Sequence, residues 1–180
     1  TGSNPDSDDV LYVDSAILLP NLLVINPDFE VGNPPVGWNT FDCQIEREGS
    51  VVKVGEYSLK VTASKAISGD AGAHQDVFKP EYRGSTLTFG AWVMAPTAND
   101  KTQALGIWDG VSVKYSEPIP HDGKWHWVTV TKTIDPDASE LLTYAYVLTG
   151  SNPDSDDVLY VDSAILLPNL LVINPDFEMG

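Results

Sequence analysis

Residues 86–94 read TLTFGAWVM, with Leu87, Phe89, Ala91 and Val93 on one side and Thr88, Gly90, Trp92 and Met94 on the other. An alternation of period two over nine residues is the signature of a strand with one buried face. The same period governs 126–133 (HWVTVTKT), 141–148 (LLTYAYVL) and 159–166 (LYVDSAIL). Shorter candidates are 22–25, 44–48, 58–62, 73–77, 103–108 and 111–115. Turn-forming residues separate them: Asn-Pro-Pro at 33–35, Ser-Gly-Asp at 68–70, Asp-Gly at 109–110 and His-Asp-Gly at 121–123. No segment sustains a helical period. About ten short strands with Gly- and Pro-rich turns predict an all-β chain, an antiparallel β-sandwich or jelly roll.

The chain also repeats itself. Residues 1–30 recur letter for letter as 149–178, an offset of 148. Identity at surface as well as core positions points to a tandem array of near-identical modules with a 148-residue period. The repeated stretch joins a closing strand to an opening one with only Pro168 and Asn169 between them. The expected organisation is therefore a complete module at 21–168. Residues 1–20 are then the closing strand of a preceding repeat, and 169–180 the opening strand of a following one. Leu18, Leu19, Pro20, Asn21 and Leu22, with their counterparts Leu166, Leu167, Pro168, Asn169 and Leu170, form the predicted inter-module junction. A proline flanked by Leu and Ile is not the composition of a flexible linker, so a stiff junction is expected. The duplicated strands also raise strand exchange between chains as a route to partners.

Composition narrows the function. The formal net charge is −16 over 180 residues, which argues against nucleic acid and anionic membranes as partners. No apolar run is long enough to span a bilayer. Cys43 is the only cysteine, so no intrachain disulfide framework exists.

Three patches carry a family resemblance: NLLVINPDFEVGNPPVGW (21–38), GEYSLKVTAS (55–64) and DVLYVDSAILL (157–167), with GKWHWVTVT between the last two. In order and spacing they are similar to carbohydrate-binding modules of the family 4/9 type, within the galactose-binding-like jelly rolls. The resemblance covers essentially the whole module and implies the fold more specifically than the function. It also implies a structural Ca²⁺ held by Glu30 and Asp162, hard oxygen ligands of the kind this ion takes. The acidic run 152–157 spaces oxygens like the start of an EF-hand loop. It lacks that loop's sixth-position glycine and closing glutamate, so it reads as a solvated turn.

Sugar-binding modules stack pyranose rings on exposed aromatic side chains. Trp92, Trp108, Trp127, Tyr144 and Tyr146, with Gln103, are the candidates for such a groove, while Trp38 and Trp125 look like core. The alternative for each is simply core filling. No nucleophile elbow, zinc-protease motif or phosphate loop is present, and His74, His121 and His126 share no metal spacing, so no enzyme is expected. Two functions remain. One is a structural repeat of an extracellular or virion-associated fibre, its modules stacked end to end. The other is a carbohydrate-binding module gaining avidity from repetition.

Overall fold

The computed structural model describes residues 23–64, 70–148 and 157–168. Ten strands occupy them: β1 (Asn39–Phe41), β2 (Cys43–Glu48), β3 (Ser58–Ala63), β4 (Asp70–Asp76), β5 (Thr86–Met94), β6 (Thr102–Trp108), β7 (Val113–Tyr115), β8 (His126–Thr133), β9 (Leu142–Leu148) and β10 (Val158–Pro168). They form two five-stranded antiparallel sheets. The front sheet runs β1-β4-β9-β6-β7 and the back sheet β2-β3-β10-β5-β8. This is the sandwich expected from the alternating runs.

The alternation decides what is buried. Leu87, Phe89, Ala91 and Val93 of β5 all point into the core, as do Ala145 and Val147 of β9 and Leu105 and Ile107 of β6. β10 does this twice with opposite parity. Leu159 and Val161 face inward before a bulge between Asp162 and Ile165, and Ala164 and Leu166 face inward after it. Ser163 takes a positive φ of 50° there. The extra residue shifts the pleat by one, so the odd-then-even apolar pattern of this sequence stays on one face. Burying Leu159, Val161 and Leu166 is worth about 1.5–3 kcal/mol each, and β10 is an interior strand of its sheet. Leu166 and Leu167 of the predicted junction are thus buried in this sandwich's own body, and Pro168 pairs with Leu87 at the end of β10. The other junction residues lie outside the described residues.

The opening stretch differs from expectation. Residues 23–26 are bends rather than a strand. The Gln75 side chain takes the place of a strand partner, accepting from Ile25 N–H at 2.6 Å and donating to the Ile25 carbonyl at 3.0 Å. Val24, Phe29 and Trp38 then close the space between the sheets, with the Phe29 and Trp38 rings 5.1 Å apart. β1 and, among the described residues, a 3-10 turn at Pro80–Tyr82 lie outside the strands the alternation predicts.

The chain comes in and leaves at one pole. Residues 23–29 cross below the end of β4, and the Pro27 carbonyl accepts from Ala164 N–H in β10 at 2.7 Å. β10 continues from there to Pro168, opposite Leu87 at the start of β5. Leu87 pairs with Lys132, whose ammonium meets Asp109 Oδ2 at 2.9 Å just beyond β6. The ends of β4, β6, β8 and β10 therefore share this pole. Asp109 is wholly buried and clamps it. Burial alone would raise its carboxyl, but the Ser112 N–H, Lys132 ammonium, and Asp135 and Val111 N–H groups outweigh that and hold it at about 2.

Candidate functional site

On the outer face of the front sheet, strand register assembles one continuous row. Tyr115, Gly106, Tyr144, His74 and Asn39 lie abreast across all five strands, a span of roughly 19 Å at the usual strand spacing. The next row holds Ala104, Tyr146, Gly72 and Phe41. Their sequence neighbours Gln75, Thr143 and Ile107 point into the core. Parity alone fixes which side chains can meet a ligand here.

Four rings join into a file. Tyr115 meets Tyr146 edge-on at 5.2 Å, Tyr146 stacks on Tyr144 at 4.4 Å and 17°, and Tyr144 meets His74 at 5.1 Å. Glycines make the tiling possible. A Cβ on Gly106 would strike the Tyr146 ring, and one on Gly72 would come within 2.6 Å of the Ala145 carbonyl oxygen. Tyr146 is nearly fully buried by its neighbours, so it supports the file from below. The partly exposed members are Tyr144, Tyr115 and His74, with Phe41 beside them at 43% exposure.

The rim is acidic and hydrogen-bonded. Tyr115 Oη donates to Asp70 Oδ2 at 2.9 Å, and Trp108 Nε1 donates to Glu140 Oε1 at 2.6 Å. Burial, with the Asp70 carboxylate beside it, pushes the Tyr115 phenol up to about 12. Burial and the Glu140 charge raise Tyr144, and burial raises Tyr146 further. All three phenols therefore stay protonated at neutral pH. Burial lowers His74 against the opposing pull of Asp76, which keeps its imidazole neutral. Its Nδ1 is buried with no hydrogen-bond partner among the described residues. The face thus offers flat apolar ring surfaces edged by phenol and indole groups and by the Asp70 and Glu140 carboxylates.

The six predicted groove residues divide. Trp108, Tyr144 and Tyr146 share this face. Trp92 and Trp127 pair with each other on the outer face of the back sheet, edge-on at 5.7 Å. Lys53 Nζ sits 4.0 Å over the Trp92 ring, a contact that occupies one ring face. Gln103 points into the core, where its amide donates to Asp157 Oδ2 at 3.1 Å. Tyr115, His74, Asp70 and Asn39 are the additions the structure makes. Tyr115 lies in a candidate strand whose sheet the sequence did not identify.

Glu30 and Asp162 grip one loop. Glu30 Oε1 accepts from the N–H groups of Glu56 and Tyr57 at 2.7 and 3.1 Å. Asp162 Oδ2 accepts from those of Lys53 and Val54 at 2.9 and 3.0 Å. Gly55 is required between them, at φ 77° with a Cβ position that the Glu30 carboxylate fills. Burial pushes the Asp162 carboxyl up, opposed by the Val54 and Lys53 N–H groups. The two carboxylates are hard oxygen donors of the kind Ca²⁺ takes, each with one oxygen already engaged by two main-chain N–H groups. No group of three or more His, Cys, Asp or Glu gathers among the described residues, so main-chain oxygens would complete the shell. The Glu30 carbonyl is already taken by Arg47 Nη1 at 2.9 Å.

No family model and no curated protein matches the chain. Solved structures do. The CBM22-1 xylan-binding domain of Xyn10C from Paenibacillus barcinonensis aligns with a TM-score of 0.59 at 14% identity, covering 78% of this chain and 90% of that one. TmCBM61, solved with β-1,4-galactotriose, aligns with a TM-score of 0.58 at 14% identity, over 83% and 99%. The C-terminal family 22 module of Xyn10B from Clostridium thermocellum gives 0.57 at 18% identity, over 82% and 98%. At these identities the likeness is one of fold. The fold is the jelly-roll sandwich that these carbohydrate-binding modules share, and the three named belong to families 22 and 61, so the likeness does not reach the 4/9 type specifically.

Proposed function

We propose that this chain is a non-catalytic carbohydrate-binding module whose site is the front-sheet ring file. The carrying observation is the unbroken file of ring contacts Tyr115–Tyr146–Tyr144–His74 flanked by Asp70 and Glu140. Pyranose C–H faces pack against electron-rich aromatic faces, and sugar hydroxyls need the donors and acceptors that line this rim. The structural neighbours described as xylan-binding or bound to galactotriose support the reading. Titration calorimetry with xylo- and β-1,4-galacto-oligosaccharides tests it. Saturable binding to at least one, lost in Tyr144→Ala, is expected. Absence of binding to both, or undiminished binding by the variant, overturns the assignment.

The letter-perfect repeat favours a second element of the reading: several such modules in one protein, acting outside the cell where polysaccharide is found, with avidity from linked copies. As a fibre subunit stacked end to end, the module would need its chain ends at opposite poles. Among the described residues, the stretch from Leu23 and the end of β10 at Pro168 lie towards one pole, which favours a binding array over a rod. Ca²⁺ between Glu30 and Asp162 would neutralise two carboxylates and lock the loop over β10. A melting temperature raised by millimolar calcium and lowered by chelator is the expected outcome, and identical melts remove the ion from the account.

A further inference from the structure

The pole where the chain comes in and leaves carries a cluster of exposed branched aliphatics. Ile25 is 59% exposed, Val31 58%, Val36 52% and Val54 52%. Scattered apolar residues are ordinary on a surface, but one loop draws Ile25, Val31 and Val36 together, and Val54 lies on the loop that Glu30 holds. The Val36 side chain lies over Gly32, within 2.7 Å of where a Cβ would stand, and the Ile25 side chain lies over Gly37 at 3.0 Å. Val36 N–H donates to the Val31 carbonyl at 2.9 Å. Val54 adjoins Gly55, which packs on the carboxylate of Glu30 next to Val31.

The loop is braced to present them. Asn26 Nδ2 donates to the Val31 and Val36 carbonyls at 3.0 and 3.3 Å, and Asn26 Oδ1 accepts from Val31 N–H at 3.1 Å. Beneath, Phe29 and Trp38 are locked in the core. Holding Ile25, Val31 and Val36 in water on a cross-braced loop, with Val54 on the loop beside it, points to something that covers them.

The repeat says what does. Residues 9–20 have the sequence of 157–168, which contains β10. In an array, the module that owns residues 9–20 is tied to Leu23 by Asn21 and Leu22 alone. Three Cα–Cα steps reach at most about 11 Å, so the neighbour's own β10 exit must abut this pole. That exit also carries an exposed apolar side chain, Val111 at 55%, next to Ser112, whose Oγ accepts from Lys132 Nζ at 2.8 Å.

We propose that the Ile25–Val31–Val36–Val54 pole is the docking surface for a second copy of this module, so that successive modules meet pole to pole with their ring files turned outward. Sedimentation equilibrium of the 180-residue chain up to about millimolar concentration is the test. Concentration-dependent association that vanishes in the double variant Val31→Asp/Val36→Asp is expected, with a melting curve like that of the parent because both side chains are exposed. A chain monomeric throughout overturns the proposal. So does association that the double variant retains, which would point to exchange of the duplicated β10 sequence. If the double variant melts early, Val54→Asp, outside the braced loop, replaces it and must weaken association at least threefold.

Discussion

The two sheets each turn aromatic rings outward, and they do so in different ways. On the front sheet the rings form a file across neighbouring strands, with Tyr146 over Gly106, the Tyr115 phenol donating to Asp70, and His74 Nδ1 without a partner among the described residues. On the back sheet Trp92 and Trp127 pair edge-on beneath Lys53, beside threonines whose hydroxyls bond one another at 2.7 and 2.8 Å across β5 and β8. The back face covers its ring with a cation and closes its hydroxyls on one another, whereas the front face leaves Tyr144, Tyr115 and His74 partly exposed beside the Asp70 and Glu140 carboxylates. Aromatic content alone does not distinguish a binding face from a braced one. Whether the ring faces are left uncovered does.

The largest expected effect joins the two faces. Asp109→Ala removes the carboxylate that holds the Lys132 end of the back sheet to the loop after the front sheet's β6, and leaves a half-buried ammonium unpaired. A loss of about 3 kcal/mol in denaturant unfolding is expected. Because the Asp109 carboxyl sits at about 2 in the folded chain, below its ordinary value of 3.8, its contribution is complete above about pH 4 and fades as pH falls towards 2. The gap between parent and variant stability should close over that window. A gap that widens there contradicts the clamp.

Next comes the direct contrast. Tyr144→Ala should cost roughly 2 kcal/mol of glycan affinity, about thirtyfold, while Trp92→Ala stays within twofold of the parent. Calorimetry giving the reverse order would assign binding to the back face. A smaller contrast lies in the glycines. Gly106→Ala drives a Cβ into Tyr146, at a cost of about 1–3 kcal/mol in stability, and should weaken binding several-fold. Gly90→Ala meets Trp127 Cζ2 at 2.9 Å and Thr129 Cγ2 at 3.1 Å and should lower stability while leaving affinity unchanged. The smallest expectation is no change at all. With His74 lowered by burial and Tyr115 at about 12, affinity should be flat from pH 7 to 9. A titration step in that range would mean that a ring of the file ionises.

Much of the fold was legible because alternation is local: the TLTFGAWVM run states its inner and outer faces outright. The parity change in LYVDSAILL was there to be read as a bulge, since Leu159 and Val161 cannot share a face with Ala164 and Leu166 in a regular strand. The site was half legible. Alternation told that Trp92 and Tyr144 point away from the core of their own strands, but which sheet each strand joins depends on pairings far apart in sequence. Gln103 misled for a related reason. A glutamine on a strand looks like a sugar ligand until Asp157, 54 residues on, proves to be its partner. Tyr115 and His74 became visible only when β7 and β4 took their places beside β6 and β9.

The single-pole route of the chain bears on how such a protein carries load. Tension applied between Leu23 and Pro168 does not run the length of either sheet. It crosses the short path where the Pro27 carbonyl meets Ala164 N–H. The ring file sits on the opposite sheet from β10 and off that line of force. A chain pulled taut by its neighbours would therefore strain the base of each module first, while its grip on a polysaccharide stayed undeformed.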